Sequence, residues 1–211
     1  MTQRRGRRLY AALYERINEI AERRYLGAIR AEVAGSAAGQ VLEIGAGASG
    51  NFRFYRADAH QVVAVEPDPA MAELAVPKAR RAAAPVALSR AVAERLPFRS
   101  EAFDTVVTSL VLCTVDLDPT LREIRRVLRP GGRLRFYEHV RYRHPVGRFM
   151  QDAVTPLWRR FASGCHPNRD LVGRLRQHDF AIERVDEFTV GLPLPPYVLV
   201  RPQVKGVAVR G

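Results

Sequence analysis

The chain has 211 residues, which is long enough for one well-buried domain and rather short for two. Its composition, 47% hydrophobic and 27% charged, is ordinary for a soluble globular chain. The formal net charge is +12, from 34 basic residues, almost all arginine, against 22 acidic ones; because the arginines are scattered, a nucleic-acid partner is disfavoured.

The first 38 residues are predicted to form an amphipathic helix followed by a linker. Apolar residues recur at spacings of three and four between Tyr10 and Tyr25, with charged residues on the other face. Four arginines precede this pattern: Arg4, Arg5, Arg7 and Arg8. The pattern favours a helix that packs its apolar stripe on the main domain; the alternative is a basic helix docked on a membrane surface.

A glycine-rich turn follows the first predicted strand, Val41–Ile44. Its three glycines fit the pattern G-x-G-x-x-G: Gly45, Gly47 and Gly50. Glycine lets a ligand approach the main chain, and a helix beginning near Gly50 or Asn51 would offer unpaired N–H groups. Glu43 lies two residues before the first glycine, where a pyrophosphate would be disfavoured. S-adenosylmethionine, with a sulfonium, an ammonium and a ribose diol, suits this carboxylate better than a nicotinamide dinucleotide.

The next segment is predicted to supply an acid that binds ribose. Residues 52–55 should begin the first crossover helix, and Gln61–Val65 should form the second strand. Glu66 ends this strand about 20 residues after the glycine turn, the distance at which an acidic side chain binds ribose hydroxyls. Residues 67–69 then turn the chain into a helix, in which Met71 would either flank an adenine or pack in the core.

The middle of the chain continues the alternation of helices and strands. After a helix that ends at Ala84, three strands are predicted, at Val86–Ser89, Thr105–Leu110 and Arg133–Val140. An amphipathic helix, Pro119–Leu128, separates the last two. The near-continuous apolar character of Thr105–Leu110 is typical of a strand buried on both faces. Its end should reach the same edge as the glycine turn, where open parallel sheets bind ligands. The alternation predicts a doubly wound sheet.

From residue 141 onward the pattern changes. A segment with a helix over 147–161 is predicted to form a lid over the cleft, followed by a helix at Leu171–His178. Two final strands, 181–188 and 198–209, should pair antiparallel because their connection is too short for a helical crossover. The chain is thus predicted to be one domain, with an N-terminal helix and linker (1–38), a cofactor-binding core (39–140), a lid or acceptor insert (141–170) and a C-terminal helix with antiparallel strands (171–211).

Five motifs in order carry a resemblance to a known family: LEIGAGASGN at 42–51, AVEPDPAM at 64–71, AERLPF at 93–98, FDTVVTSLVL at 103–112 and REIRRVLRPGGRL at 122–134. With them the chain resembles the class I S-adenosylmethionine-dependent methyltransferases. This resemblance implies S-adenosyl-L-methionine as cofactor and an α/β fold, a Rossmann-like, seven-stranded, mostly parallel sheet with an antiparallel last strand. Looser motifs, including GCHPNRD at 164–170 and VRPQVKGVAVR at 200–210, resemble the methyltransferase-like family that includes the mammalian alkyl-thiol S-methyltransferases.

The resemblance also implies a set of cofactor-binding residues: Glu43, Gly45, Ala46, Gly47, Asn51, Glu66, Pro67, Met71, Ala93, Glu94, Ser109 and Leu110. Within this set, the glycine turn would line the methionine moiety, Glu66 would hold the ribose hydroxyls and Met71 would flank the adenine. Relatives often carry an aspartate where this chain has Val92. Adenine recognition would therefore rest on backbone groups.

Methyl transfer from a sulfonium requires little from protein side chains, because the leaving group departs neutral. A thiol with a pKa of about 8.5 is partly ionised at neutral pH, so a strong base is optional. His139 is the candidate base or orienting group, with capping of its strand as the alternative, and His166 could also reach the substrate. Cys113 is predicted to be a buried apolar side chain. An acceptor pocket, or the packing of the lid, would use three aromatic residues: Phe149, Trp158 and Phe161.

These observations predict a methyltransferase acting on a small, apolar acceptor, with a thiol as first choice. The alternatives are a lipid- or quinone-type methyltransferase working at a membrane surface, an NAD(P)-dependent oxidoreductase and a nucleic-acid-binding module. Cys113 and Cys165 have no metal-binding spacing, so we expect no metal site and a reduced compartment, the cytoplasm, with peripheral membrane contact as a variant. No apolar run approaches the roughly 20 residues that span a bilayer, and the amino terminus has no apolar signal core.

Overall fold

The computed structural model describes residues 26–190 and 197–211. The amphipathic helix predicted between Tyr10 and Tyr25 lies outside the described residues. The same holds for the proline-rich connection at 191–196.

The described chain forms a seven-stranded sheet with helices. The strands are β1 (Gly39–Ile44), β2 (Ala59–Val65), β3 (Val86–Ser89), β4 (Phe103–Ser109), β5 (Leu128–His139), β6 (Phe180–Thr189) and β7 (Pro202–Arg210). The α-helices are α1 (Gly27–Val33), α2 (Pro69–Ala79), α3 (Leu117–Val127), α4 (Pro145–Phe161) and α5 (Leu171–Gln177). The strand order is β3-β2-β1-β4-β5-β7-β6. Strands β1 to β5 run parallel, and β7 is antiparallel to β5 and β6, so the predicted fold is confirmed.

The two faces of the sheet pack against different helices. Successive residues of a strand point to opposite faces. In β1, Leu42 belongs to the cluster that contains Leu121 of α3, whereas Val41 belongs to the cluster that contains Val33 of α1 and Ala75 of α2. Strand β4 lies between β1 and β5 and contributes to both clusters. This double burial explains its near-continuous apolar sequence.

The first crossover helix predicted for residues 52–55 is wrong, because the segment holds a single 3-10 turn, Phe52–Phe54. The side chains of Phe52 and Tyr55 are buried almost completely. Tyr55 already has an extended backbone, with ψ of 133°. The segment is therefore held by two buried aromatic rings, and the chain leaves the turn at Tyr55 instead of continuing as a helix.

Other boundaries differ by a few residues. Helix α2 ends at Ala79 and not at Ala84. A 3-10 turn, Tyr197–Val200, occupies the predicted start of the last strand, which begins at Pro202. The turn buries Leu199, so these residues pack against the core before the sheet resumes.

Helix α4, the main part of the predicted lid, is anchored by one buried polar side chain. Gln151 donates through Nε2 to the carbonyl oxygens of Val140 (3.3 Å), Pro167 (3.1 Å) and Leu199 (2.8 Å). Its Oε1 accepts from the backbone N–H of Tyr142 at 2.8 Å. With 17 residues, α4 is the longest helix in the described part of the chain, where no helix combines the length and apolar character needed to cross a bilayer.

Candidate active site

The turn after β1 is shaped by two glycines with left-handed backbone, Gly45 at φ +68° and Gly47 at φ +53°. A Cβ atom on Gly45 would lie 2.5 Å from Cγ2 of Val111, so a larger residue would clash there. A Cβ atom on Gly47 would meet only the terminal methyl of Met71, at 3.6 Å. The main chain at Gly47 is therefore open towards Met71, where a ligand can approach it.

Glu66 follows β2, and its carboxylate closes the turn from the other side. Oε2 accepts a hydrogen bond from the N–H of Gly47 at 2.9 Å, and Oε1 accepts one from the N–H of Asp68 at 2.9 Å. Burial raises the pKa of Glu66, and the two backbone hydrogen bonds oppose this shift. Each carboxylate oxygen has more than one lone pair. Glu66 can therefore also accept hydrogen bonds from ligand hydroxyls.

A cavity of about 640 Å³ opens at the carboxyl ends of β1, β2 and β4. Small-molecule sites typically have volumes of roughly 300–1,000 Å³. Eight of the twelve predicted cofactor-binding residues line this cavity: Gly45, Gly47, Glu66, Pro67, Met71, Ala93, Glu94 and Leu110. The other four lie outside the lining: Glu43, Ala46, Asn51 and Ser109.

The charge of the lining is opposite to that of the protein. Among the described residues, the lining has three acidic side chains, Glu66, Asp68 and Glu94, and no Arg, Lys or His, although the chain carries a net charge of +12. Such a lining favours a cationic ligand and disfavours a pyrophosphate. With the carboxylate of Glu66 for a ribose diol and the thioether of Met71 for an adenine, the residues present fit S-adenosylmethionine.

Glu43 is buried beneath the glycine turn. It accepts hydrogen bonds from Nδ2 of Asn51 at 3.0 Å and from the hydroxyl of Tyr55 at 2.7 Å. Asn51 also donates to Oγ of Ser109 (3.2 Å) and accepts from Nη1 of Arg30 (2.9 Å). Burial raises the pKa of Glu43 to about 7, although the hydrogen bonds and the Arg30 charge lower it. The side chain of Glu43 is 2% exposed and lies outside the cavity lining, where it holds Asn51 and Tyr55; its contact with the methionine moiety stays a prediction.

The loop after β4 is fixed by Glu138, for which the sequence predicted no role. The carboxylate of Glu138 is fully buried and accepts from the backbone N–H groups of Val111 (3.0 Å), Leu112 (2.9 Å) and Cys113 (3.2 Å). Burial raises its pKa, and these hydrogen bonds lower it. Val111 and Thr114 of this loop line the cavity. The signal of this role in the sequence is one acidic residue near the end of β5, at the sheet edge where the cavity opens.

His139, the candidate base, does not line the cavity, and its ring faces two sulfur atoms. Nδ1 lies 3.7 Å from Sγ of Cys113 and 3.6 Å from Sγ of Cys165. Cys113 is buried, as predicted, and so is Cys165. A hydrogen bond between the two thiols raises the pKa of Cys113 and lowers that of Cys165. The structure thus brings together three residues that their spacing in the sequence did not connect.

The aromatic residues of the lid segment are not arranged as a pocket wall. Phe149 is 75% exposed and Phe161 is 76% exposed. Trp158 is half-buried, and His166 also lies outside the lining. Of residues 141–170, Ser163 alone reaches the cavity. The expectation that Phe149 and Phe161 wall the acceptor pocket is therefore wrong.

The burial of Glu43 predicts a pH dependence of stability. Its folded-state pKa of about 7 lies above the ordinary value of 4.5, so folding takes up a proton between these values and the free energy of unfolding falls as pH rises from 4.5 to 7. The glutamine of Glu43→Gln is uncharged at every pH, so this fall in the free energy of unfolding is absent from the variant. We expect the free energy of unfolding of the variant, relative to that of wild type, to rise by about 3 kcal/mol between pH 4.5 and pH 7. Urea unfolding measures this difference.

The matched control for Glu43→Gln is Glu183→Gln, which removes a half-exposed carboxylate on β6. Its difference from wild type should stay within about 0.5 kcal/mol at every pH. If the stability profiles of wild type and Glu43→Gln ran parallel, Glu43 would have the same pKa in the folded and unfolded states, and the buried environment described above would be wrong.

Comparisons with known proteins agree with this site. Residues 42–136 match the family described as Methyltransferase domain. The thiol S-methyltransferase TMT1A of Homo sapiens is 30% identical over 188 residues, covering 81% of this chain and 70% of the relative. The demethylmenaquinone methyltransferase of Streptomyces griseus is 30% identical over 164 residues, covering 72% and 69%. The solved structure of a geranyl diphosphate methyltransferase in complex with SAM has the same fold, with a TM-score of 0.67 at 18% identity, over 87% of this chain and 84% of the other.

The sequence match, the sheet and the acidic cavity all indicate the same chemistry. The cofactor is S-adenosyl-L-methionine, and the chain is a methyltransferase and not an oxidoreductase. The absence of a nucleic-acid partner stays a prediction. The chain belongs to the S-adenosylmethionine-dependent methyltransferases, in the family that includes the thiol S-methyltransferases.

Proposed function

We propose that this methyltransferase transfers the methyl group to a small, apolar thiol. The observation that carries the proposal is the likeness to thiol S-methyltransferase TMT1A, which extends over 81% of the chain and so beyond the residues that match the general methyltransferase domain. The cavity supports an apolar acceptor, because its lining includes the side chains of Val92, Val111 and Val115.

The lining also favours an acceptor whose nucleophile loses its proton without a general base from the protein. Among the described residues it contains no His, Lys, Cys or Tyr, so the titratable groups that it offers are carboxylates. His139 stays a predicted base, but it has no place in this lining. A thiol with a pKa of about 8.5 is partly ionised at neutral pH, whereas an alcohol would need a general base. A thiol is therefore the acceptor that this cavity supports best.

The proposed reaction depends mainly on alignment. Bound S-adenosylmethionine would supply an activated methyl group and a sulfur leaving group that departs neutral, and the acceptor thiol would lose its proton to solvent. Glu66 would fix the ribose, and Glu138 holds the loop that carries Val111 against the cavity. Alignment of this kind can contribute roughly 7–11 kcal/mol.

Removing the carboxylate of Glu66 should weaken cofactor binding. We expect Glu66→Ala to bind S-adenosylhomocysteine about 10- to 100-fold less tightly, because hydrogen bonds to a charged group contribute roughly 1.5–3 kcal/mol. Isothermal titration calorimetry measures the change. For an analogue that lacks the ribose hydroxyls, wild type and variant should bind alike, and Glu183→Ala should behave as wild type with both ligands. An equal loss with both ligands would show that Glu66 acts only through the glycine turn.

A comparison of acceptors tests the proposed reaction. With labelled S-adenosylmethionine at pH 8, an alkyl thiol should be methylated at least about 100-fold faster than the alcohol of the same length, which is the factor that a missing general base costs. The rate with the thiol should rise with pH as the thiolate fraction increases. Faster transfer to a phenol or a quinol than to any thiol would contradict the proposal.

A second candidate function is the methylation of a quinone-type or lipid acceptor at a membrane surface. The exposed face of α4 favours it. Six large apolar side chains are exposed on this helix: Val146, Phe149, Met150, Val154, Leu157 and Phe161. They recur at helical spacing and form one stripe. Exposed arginines lie near both ends of the helix, at 148, 159 and 160. An apolar stripe with basic neighbours suits the surface of an anionic bilayer.

Vesicle binding tests the membrane contact. The intact protein should co-sediment with vesicles of phosphatidylcholine and phosphatidylglycerol. The double variant Phe149→Asp/Phe161→Asp should bind at least about 10-fold less, because each exposed ring would contribute roughly 1.5–3 kcal/mol on burial. Tyr197→Asp, at a residue that is 50% exposed outside α4, is the control. Unchanged binding of the double variant would exclude α4 as the contact surface.

A further inference from the structure

Cys113, His139 and Cys165 converge from three separate segments: the loop after β4, the end of β5 and the turn after α4. Their three ligand atoms, the two Sγ atoms and the imidazole nitrogen, all lie within 4.8 Å of one another. We propose that these residues form a binding site for a thiophilic divalent cation of the zinc class. The site lies outside the lining of the methyl-transfer cavity and does not depend on the identity of the acceptor.

The distances within the cluster match those of a tetrahedral metal centre. Zinc–sulfur bonds of about 2.3 Å and zinc–nitrogen bonds of about 2.1 Å, meeting at tetrahedral angles, place sulfur and nitrogen about 3.6 Å apart. Nδ1 of His139 lies 3.7 Å from Cys113 Sγ and 3.6 Å from Cys165 Sγ. A cation can therefore enter between the three atoms with little rearrangement.

The ligand types select the metal. Two thiolates and an imidazole are soft and borderline ligands, which favour zinc over magnesium or calcium. On binding, both thiols give up their protons, and the two negative charges balance those of the cation. No further Cys, His, Asp or Glu of the described residues joins the group. Three protein ligands leave one tetrahedral position, which a water molecule or a small-molecule ligand can fill.

The surroundings of the cluster provide the contacts that metal ligands need. The backbone N–H of Cys113 is held by the carboxylate of Glu138, and the side chain of Trp158 lies beside the sulfur of Cys165. The charge nearby is balanced, because Arg169, whose guanidinium donates to the carbonyl of Leu112, lies close to both thiols and to Glu138. Such outer contacts fix the orientation of the ligands.

A bound cation would hold the turn after α4 against the sheet edge. Thr114 follows Cys113, and Ser163 precedes Cys165 by two residues; both line the cavity. The metal would thus fix two segments of the cavity wall without contacting the cofactor. The expected result is higher thermal stability with metal than without, because a ligand that binds only the folded state stabilises it.

Cobalt binding tests the site directly. The intact protein, reduced with a phosphine and stripped with a chelator, is titrated with Co²⁺. We expect one equivalent to bind, with thiolate-to-cobalt charge-transfer absorption and the visible bands of tetrahedral cobalt, and Zn²⁺ to displace it. Zinc should also raise the melting temperature. Absence of the charge-transfer absorption in the reduced protein would overturn the proposal.

Matched variants identify the ligands. Cys165→Ser and His139→Ala should each lower the affinity for Co²⁺ by at least about 100-fold. His166→Ala removes the neighbouring imidazole, which contacts Arg169 and lies outside the cluster, and should bind Co²⁺ as wild type does. Circular dichroism shows whether each variant is folded. The two ligand variants change different segments of the chain, so the site can be tested with either one if the other does not fold. Equal stoichiometry and affinity in wild type and both ligand variants would show an adventitious ion only.

Discussion

Three buried carboxylates hold the edge of the sheet at which the cavity opens. Glu43 lies one residue before the end of β1, Glu66 follows β2 and Glu138 lies near the end of β5, and each accepts hydrogen bonds from a neighbouring loop or turn. Burial raises the pKa of all three. An ionised carboxylate in such surroundings is costly unless its lone pairs are used. The loops cannot move away without leaving a buried acid unpaired, and this constraint keeps the cavity in shape.

Of these acids, Glu66 alone faces the cavity, and this division explains how a protein of net charge +12 binds a cationic cofactor. The arginines within residues 26–190 and 197–211 lie outside the lining, while Glu66, Asp68 and Glu94 set the sign of the field in the cavity. Within a site partly shielded from water, nearby charges outweigh distant ones. The net charge of the chain is therefore a poor guide to its ligand, and the charge of the lining is a good one.

Periodicity and residue spacing in the sequence predicted the features that depend on neighbouring residues of the chain. The alternation of apolar segments gave the parallel sheet, and the spacing of about 20 residues placed Glu66 beside the glycine turn, where its carboxylate meets the N–H of Gly47. The orientation of Glu43 was not predictable, because it depends on Tyr55 adopting extended backbone instead of a helix. The convergence of His139 with two cysteines, each 26 residues away along the chain, depends on tertiary packing that no periodicity reveals.

Helix α4 shows why an amphipathic pattern does not by itself determine which face turns inward. Most surface helices bury the apolar stripe, because apolar burial supplies most of their stability. In α4 the polar Gln151 is buried and makes four hydrogen bonds, while Phe149 and Phe161 point to solvent. A helix held in this way depends on specific anchors at a few points, and the turn that follows it ends at Cys165. A cation at the cysteine–histidine cluster would act on the turn that follows the helix, and a bilayer would act on its exposed apolar stripe. Each would supply stability that the helix does not obtain from burial of its own apolar residues.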